Sequence, residues 1–263
     1  MIRFERVTAS YLGAGVPTLS DVSLHAATNT LTAVVGPNGS GKSTLIRALM
    51  DRVPVVSGRV LLDGRDLSTV SRHETATRLA IVIQREEPAF PMTVREYVSL
   101  GRHPHTGAWS RIPDDDAPLA RAFAAAGIGA LRDRSTDTLS GGEWQRVRIA
   151  RALAQDTPAI ALDEPTTFLD VAHEMETFEL LARLAAGGQA ILVVSHQLNL
   201  VARFAQRVVL LHQGRVVADG TPDEVMQART LEAIYDWPLV ITRDPAVGAP
   251  TLVPLRRRST GTQ

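Results

Sequence analysis

Three glycines, a lysine and two hydroxyl residues within nine positions could hold a string of phosphates. Residues 36–44 are Gly36, Pro37, Asn38, Gly39, Ser40, Gly41, Lys42, Ser43 and Thr44. The glycines let the backbone bend until successive N–H groups face inward, and a following helix adds the positive end of its dipole. The result is an anion cradle. Lys42 can reach the outer phosphates of a nucleotide, and the Ser43 hydroxyl can ligate a magnesium ion that bridges them. The apolar run 31–35 and the helical pattern 45–50 supply the strand and helix that such a loop needs.

Groups that could act on those phosphates stand at the ends of further apolar runs. Residues 31–35 lead into Gly36, 79–83 into Gln84, 159–162 into Asp163 and Glu164, and 190–194 into Ser195 and His196. Near-continuous apolar strands alternating with helical stretches predict an α/β fold, its parallel sheet covered on both faces. Ligands of such sheets sit beyond the carboxyl ends of the strands, so all these groups face one crevice. Asp163 suits the surroundings of the magnesium that Ser43 binds. Glu164 can take a proton from, or orient, a water in line with the terminal phosphorus. His196 can donate to the terminal phosphate, and Gln84 can touch either the metal or the attacking water. Singly, a strand-end aspartate is a common turn residue and a lone histidine is commonly structural. It is the convergence that points to phosphoryl chemistry.

A second string, residues 139–146, reads Leu-Ser-Gly-Gly-Glu-Trp-Gln-Arg. Ser140 and Glu143 have the spacing of a capping box, which by itself explains a helix start. Gly141 and Gly142 ahead of that helix also make a second anion site, one without a lysine. Such a site makes sense if it closes over a nucleotide already held by another cradle. Tyr11 either stacks on an adenine ring or is an ordinary half-buried tyrosine.

The remaining stretches read mainly as scaffold. Residues 2–7 and 19–25 are strand candidates, and residues 58–66 form a strand closed by an Asp-Gly turn. Between residues 86 and 154 the pattern becomes helical, with a capping box at Thr93 and Glu96 and a helix over 118–126. Two prolines in 86–92 exclude helix and central strand there and leave Phe90 and Met92 at a surface. His103, His105 and residues 114–116 could in principle gather a metal, but a solvated loop with an acidic helix start is the expected reading. The last forty residues are expected to form capping helices, opening at residues 221–224. Residues 256–258, three arginines, are expected to be a solvated, disordered end, with contact to anionic lipid as the alternative.

Composition narrows the class. Lys plus Arg equals Asp plus Glu at 28 each in 263 residues, so no overall charge argues for nucleic acid. The chain has no cysteine, which excludes disulfides and thiolate metal sites. No secretory signal is expected, and no run reaches the eighteen or so apolar residues that span a bilayer.

With these motifs in this order, the chain resembles the ATP-hydrolysing subunits of ABC transporters along nearly its whole length. The resemblance implies a P-loop NTPase (RecA-like) core with a mostly parallel sheet, an antiparallel β subdomain and an inserted α-helical subdomain. Residues 1–86 and 155–220 would be the core with its N-terminal β subdomain, 87–154 the helical subdomain, and 221–263 the C-terminal helices and tail. It also implies a head-to-tail homodimer, with ATP and Mg2+ between one cradle and the partner's Ser140, Gly141 and Gly142. Residues 167–170, including Asp170, would cross that interface. Residues 86–98 would receive a membrane permease, placing the chain at the cytoplasmic face of the membrane, and a separate binding protein would deliver the solute.

Softer likeness, in residues 93–102, 198–200, 210–220 and 241–255, is to importers of ferric siderophores, heme and vitamin B12. Gln197 stands where an acidic residue commonly follows the histidine of that family. Trp144 and Phe168 are also unusual. The alternatives are an importer for an unrelated solute, a soluble ABC-type ATPase acting on nucleic acid or ribosomes, or a non-hydrolysing scaffold.

Overall fold

Strand runs that are apolar at nearly every position need cover on both faces, and the computed structural model shows how this chain provides it. It describes residues 1–11, 13, 15–84, 86, 90–106, 113, 116–167 and 169–257. In chain order come β1 (Ile2–Ala9), β2 (Leu19–Ala26), β3 (Thr30–Val35), α1 (Lys42–Leu49), β4 (Val55–Leu62) and β5 (Arg65–Asp66). Then follow α2 (Arg72–Ala76), β6 (Leu79–Val82), α3 (Val94–Ser99), α4 (His103–Thr106), α5 (Ala117–Ala125) and α6 (Gly141–Ala154). The second half has β7 (Ala159–Asp163), α7 (Val171–Ala186), β8 (Ala190–Val194), α8 (Leu198–Phe204), β9 (Arg207–His212) and β10 (Arg215–Gly220). The chain closes with α9 (Pro222–Val225), α10 (Ala228–Tyr235), β11 (Leu239–Arg243) and β12 (Pro250–Pro254).

The central sheet has the order β10-β9-β3-β8-β7-β6, parallel throughout except for the edge strand β10. Side chains alternate between its faces. Val34, Ala159, Ala161, Leu192, Val194, Val209 and Leu211 enter one apolar cluster, shared with α1 and the antiparallel sheet. Leu31, Ala33, Ile160, Leu162, Ile191, Val193, Val208 and Leu210 enter the opposite cluster, with α6, α7 and α8. The second sheet, β2-β1-β4-β5, is antiparallel. Its β4–β5 turn uses Asp63 and Gly64, both at positive φ (55° and 77°), the backbone that a tight hairpin of this hand requires.

A third cluster makes the helical unit, from Val94, Tyr97 and Val98 of α3, Leu119, Ala122 and Phe123 of α5, and Val147, Ala150 and Ala154 of α6. The capping box at Thr93 and Glu96 is present. Asp116 caps α5 by accepting from the Leu119 N–H at 2.8 Å and pairs with Arg102, the expected acidic helix start. Asp114 and Asp115 lie outside the described residues, among which no metal-holding cluster occurs. Phe90 is 65% exposed, whereas Met92 packs against the helical cluster. No helix among the described residues is long and apolar enough to cross a membrane.

The C-terminal expectation needs correction. The capping box at Thr221 and Glu224 starts α9 as read, but residues after α10 form an antiparallel hairpin, β11 with β12, and not further helix. Asn199 on α8 explains it: its amide accepts from the Leu252 N–H at 2.8 Å and donates to the Leu252 carbonyl at 3.2 Å. That pairing imitates a ladder rung. Asn199→Ala should therefore cost about 1–2 kcal/mol locally, read as faster hydrogen exchange of the β11–β12 amides with α1 unaffected.

Candidate functional site

The cradle forms because its backbone is pressed into shapes that exclude side chains. Gly36 has φ +150°, and a Cβ there would lie 2.0 Å from the Leu211 carbonyl oxygen on β9. Gly41, at φ +103°, ends the loop ahead of α1, which no side chain caps. The Ser40 hydroxyl is buried within the loop without a hydrogen-bond partner. Its carbonyl accepts from the Gly214 N–H in the β9–β10 turn at 3.0 Å. Lys42 is buried, its Nζ donating to the carbonyls of Gly36 at 2.8 Å and Pro37 at 3.0 Å. Burial pushes its ammonium below the usual lysine range, opposed by the charges of Glu164 and Asp163.

Beyond the ends of β6, β7 and β8, three groups meet one carboxylate and a fourth meets its neighbour. Ser43 donates to Asp163 Oδ1 at 3.2 Å, joining the loop to β7. Glu164, the next residue, is held at φ +46°, a left-handed conformation that costs an ordinary residue about 1–2 kcal/mol. Its N–H is tied to the Val194 carbonyl at 2.9 Å. Its Oε2 accepts from Gln84 Nε2 at 2.7 Å and from the Thr167 hydroxyl at 3.2 Å, with His196 Nδ1 at 3.5 Å. Such a carboxylate is fixed in direction. Ser43 and Asp163 present hard oxygen atoms together, a donor set that fits Mg2+, and Gln84 adjoins them through Glu164.

Not every expected residue joins this centre. Tyr11 is half-buried, its hydroxyl accepting from Arg47 at 2.7 Å and lying 3.5 Å from Thr44 Oγ1, with the Arg47 guanidinium 5.7 Å from the ring centre. The capping box of Ser140 and Glu143 is present, and Glu143 also pairs with Arg134. The hydrogen bonds of Ser140 stay within the first turn of α6. Gly141 and Gly142 continue that turn, and Asp170 caps α7 by accepting from the His173 N–H at 2.9 Å.

Arg47 escaped the sequence reading, and Thr167 and Glu86 entered it only as the first residues of segments 167–170 and 86–98, without these contacts. Thr167 stands three residues after Glu164, a spacing that could have revealed it. Glu86 is paired with Arg151, lies 3.8 Å from Arg148, and gives its carbonyl to the Trp144 indole at 2.9 Å. Phe168 lies outside the described residues.

Comparison with known proteins follows the same lines. A family described as ABC transporter matches residues 19–167. The ferric enterobactin transport ATP-binding protein FepC of Escherichia coli strain K12 is 38% identical, over 99% of this chain and 96% of that protein. The hemin import ATP-binding protein HmuV of Nocardia farcinica is 42% identical, over 90% of this chain and 82% of its own length. A solved structure of an ABC transporter assigned to the metal-chelate type, in an inward-facing conformation, superposes with a TM-score of 0.83 at 25% identity, covering 97% of this chain and 98% of that one.

Asp163 carries a measurable consequence. Burial pushes its carboxyl above the usual aspartate range and the Glu164 charge adds to this, while the Ser43 hydrogen bond, Arg47 and Lys42 oppose it. A raised carboxyl favours the folded state when protonated; that contribution is full below the unfolded pKa near 4 and is lost as pH rises. The ionised group is thus a net burden at neutral pH. Asp163→Asn, which keeps an acceptor for Ser43, should raise the thermal midpoint at pH 7, each kcal/mol giving about 2–4 °C. The difference should shrink toward pH 3 in a calorimetric pH series.

Proposed function

The chain belongs to the ABC transporter family as an ATP-hydrolysing cassette, and from that premise we propose that it drives import of a metal chelate. A ferric siderophore is the first cargo to test, and heme and cobalamin are chelates of the same kind. The cargo reading rests on likeness over most of their length to subunits named for ferric enterobactin and hemin. The observation that carries the hydrolytic role is the convergence of Gln84, Thr167 and His196 on Glu164, one residue after the carboxylate bonded to Ser43.

Lys42 exchanges the carbonyls of Gly36 and Pro37 for oxygens of the outer phosphates. The N–H groups of residues 39–44 and the start of α1 bind the same anion. Tyr11, steadied by Arg47, borders the base. Glu164 holds a water in line with the terminal phosphorus and accepts its proton as the new P–O bond forms and the bond to ADP breaks. His196 donates to the leaving phosphoryl oxygens, and Gln84 orients the water through its link to Glu164. Ser43, with Gln84 and Asp163 beside it, would hold Mg2+, which would supply positive charge at the phosphate oxygens. Ser140, Gly141, Gly142 and Glu143 at the start of α6, together with Asp170, complete the site across a homodimer, each copy serving the nucleotide of the other.

The chain divides accordingly. Residues 1–86 and 155–220 bind nucleotide, 87–154 carry the helical unit, and 221–263 are the C-terminal part, in which α9, α10 and the hairpin cover the core. Residues 86–98, with Phe90 exposed, receive an integral membrane permease, which holds the chain at the cytoplasmic face. A separate binding protein hands the chelate to that permease.

Glu164→Gln should lower phosphate release by at least about 100-fold while the affinity for ATP stays within about twofold. Turnover at the wild-type rate would remove Glu164 from its role. Lys42→Ala should lose nucleotide binding in equilibrium dialysis. Reconstituted with its permease in vesicles, the wild-type chain should couple ATP splitting to uptake of a ferric chelate. Hydrolysis stimulated only by an unrelated solute would overturn the cargo assignment.

A further inference from the structure

The residue after His196 is held in an unusual way. Gln197 precedes α8, yet its side chain does not cap that helix. Its amide Nε2 instead donates to Glu174 Oε1 on the first turn of α7. Its N–H donates to the Ser195 hydroxyl at 3.0 Å, and the N–H of Ser195, itself buried, donates to the Val34 carbonyl on β3 at 3.0 Å. The short loop is therefore stitched to β3 on one side and to α7 on the other. Between the stitches His196 stands exposed, and among the described residues its one polar contact is Glu164 at 3.5 Å. One contact at 3.5 Å is a weak hold on an exposed imidazole, so the stitched backbone carries most of its placement.

Glu174 is a firm anchor. Asp170 caps the turn that carries it, accepting from the N–H of His173 at 2.9 Å and from its ring Nδ1 at 2.7 Å. The His173 ring lies 2.8 Å from where a Cβ at position 142 would sit, so α7 abuts the first turn of α6. Arg146 of α6 pairs with Glu176 of α7 at 3.1 Å. A displacement of Glu174 would have to drag both helices.

We infer that Gln197 is a positioning residue for His196, acting through Glu174, and that the pair needs one amide and one carboxylate in either order. An ionised carboxylate only accepts hydrogen bonds, so the group facing Glu174 must donate. An acid at position 197 would set two carboxylates against each other and push the loop outward. Exchanging both residues restores a donor and an acceptor. The inference rests on the proposed role of His196 at the terminal phosphate.

The test measures kcat, the KM for ATP and the thermal midpoint of the full chain as wild type, Gln197→Glu, Gln197→Glu with Glu174→Gln, and His196→Ala. Gln197→Glu should lower kcat about tenfold, the scale of one charge-assisted hydrogen bond, leaving KM within about twofold and the midpoint unchanged. The double exchange should recover kcat to within about twofold of wild type. Full activity in Gln197→Glu, or a double variant as slow as the single one, overturns the inference. So does a rate loss that follows a fallen midpoint, because the pair would then be a fold contact only. Full activity in His196→Ala overturns the reading of the site and the inference with it, whereas a slow His196→Ala beside a fast Gln197→Glu overturns the inference alone.

Discussion

A polyphosphate offers a protein only negative oxygens, and this chain prepares for it by pressing a stretch of backbone against the end of β9. The Cβ that Gly36 lacks would strike the Leu211 carbonyl, and the Gly214 N–H in the next turn holds the Ser40 carbonyl. The loop is thereby bent before any ligand arrives, so its N–H groups need little reorganisation to bind one. Much of the architecture follows from this contact. β9 must pair with β3 in register, Val35 beside Leu210, for the collision surface to fall under residue 36. The helix after the loop then starts at the sheet edge, where β7 and β8 also end.

Holding charged groups ready at that edge has an energetic counterpart. Lys42 and Asp163 are both buried, and burial moves each away from its ordinary ionisation toward neutrality. Glu164 adds a strained backbone, fixed by one hydrogen bond to Val194. These terms oppose folding, and the apolar clusters on both sheet faces offset them. The site is thus a local departure from the most stable arrangement, carried by a core that is apolar at nearly every strand position.

That division explains what was legible in the sequence. Strands buried on both faces must be apolar throughout, so 31–35, 79–83, 159–162 and 190–194 announced themselves, and the polar residue after each marked the edge. Capping boxes at Thr93, Ser140 and Thr221 were readable because the contact spans three residues. The C-terminal hairpin was not, because its amide partner Asn199 lies 53 residues from Leu252 and on a helix. Glu174 and Gln197 meet across 23 residues and two elements, and each alone looks like surface polarity on a helix start. Met92 read as surface from its prolines, but the helical cluster takes it in. Local rules fail wherever the decisive partner belongs to another element.

The helix α6 shows why the edge and the helical unit cannot move independently. One side of it, Ile149 and Ala152, enters the core cluster beside β6, while Val147, Ala150 and Ala154 pack with α3 and α5. From the same helix Arg148 donates to the Gln84 carbonyl at 3.5 Å, and Arg151 clasps Glu86. Trp144 binds the Glu86 carbonyl and lies 4.6 Å from the Tyr97 ring on α3. Gln84 and Glu86 are therefore held to α6 by three of its side chains. A rotation of the helical unit relative to the sheet must pull on the backbone of Gln84, whose amide is bonded to Glu164. The contacts that run from Glu86 through Arg151, Arg148 and Gln84 to Glu164 are the physical link between the helical unit and the sheet edge.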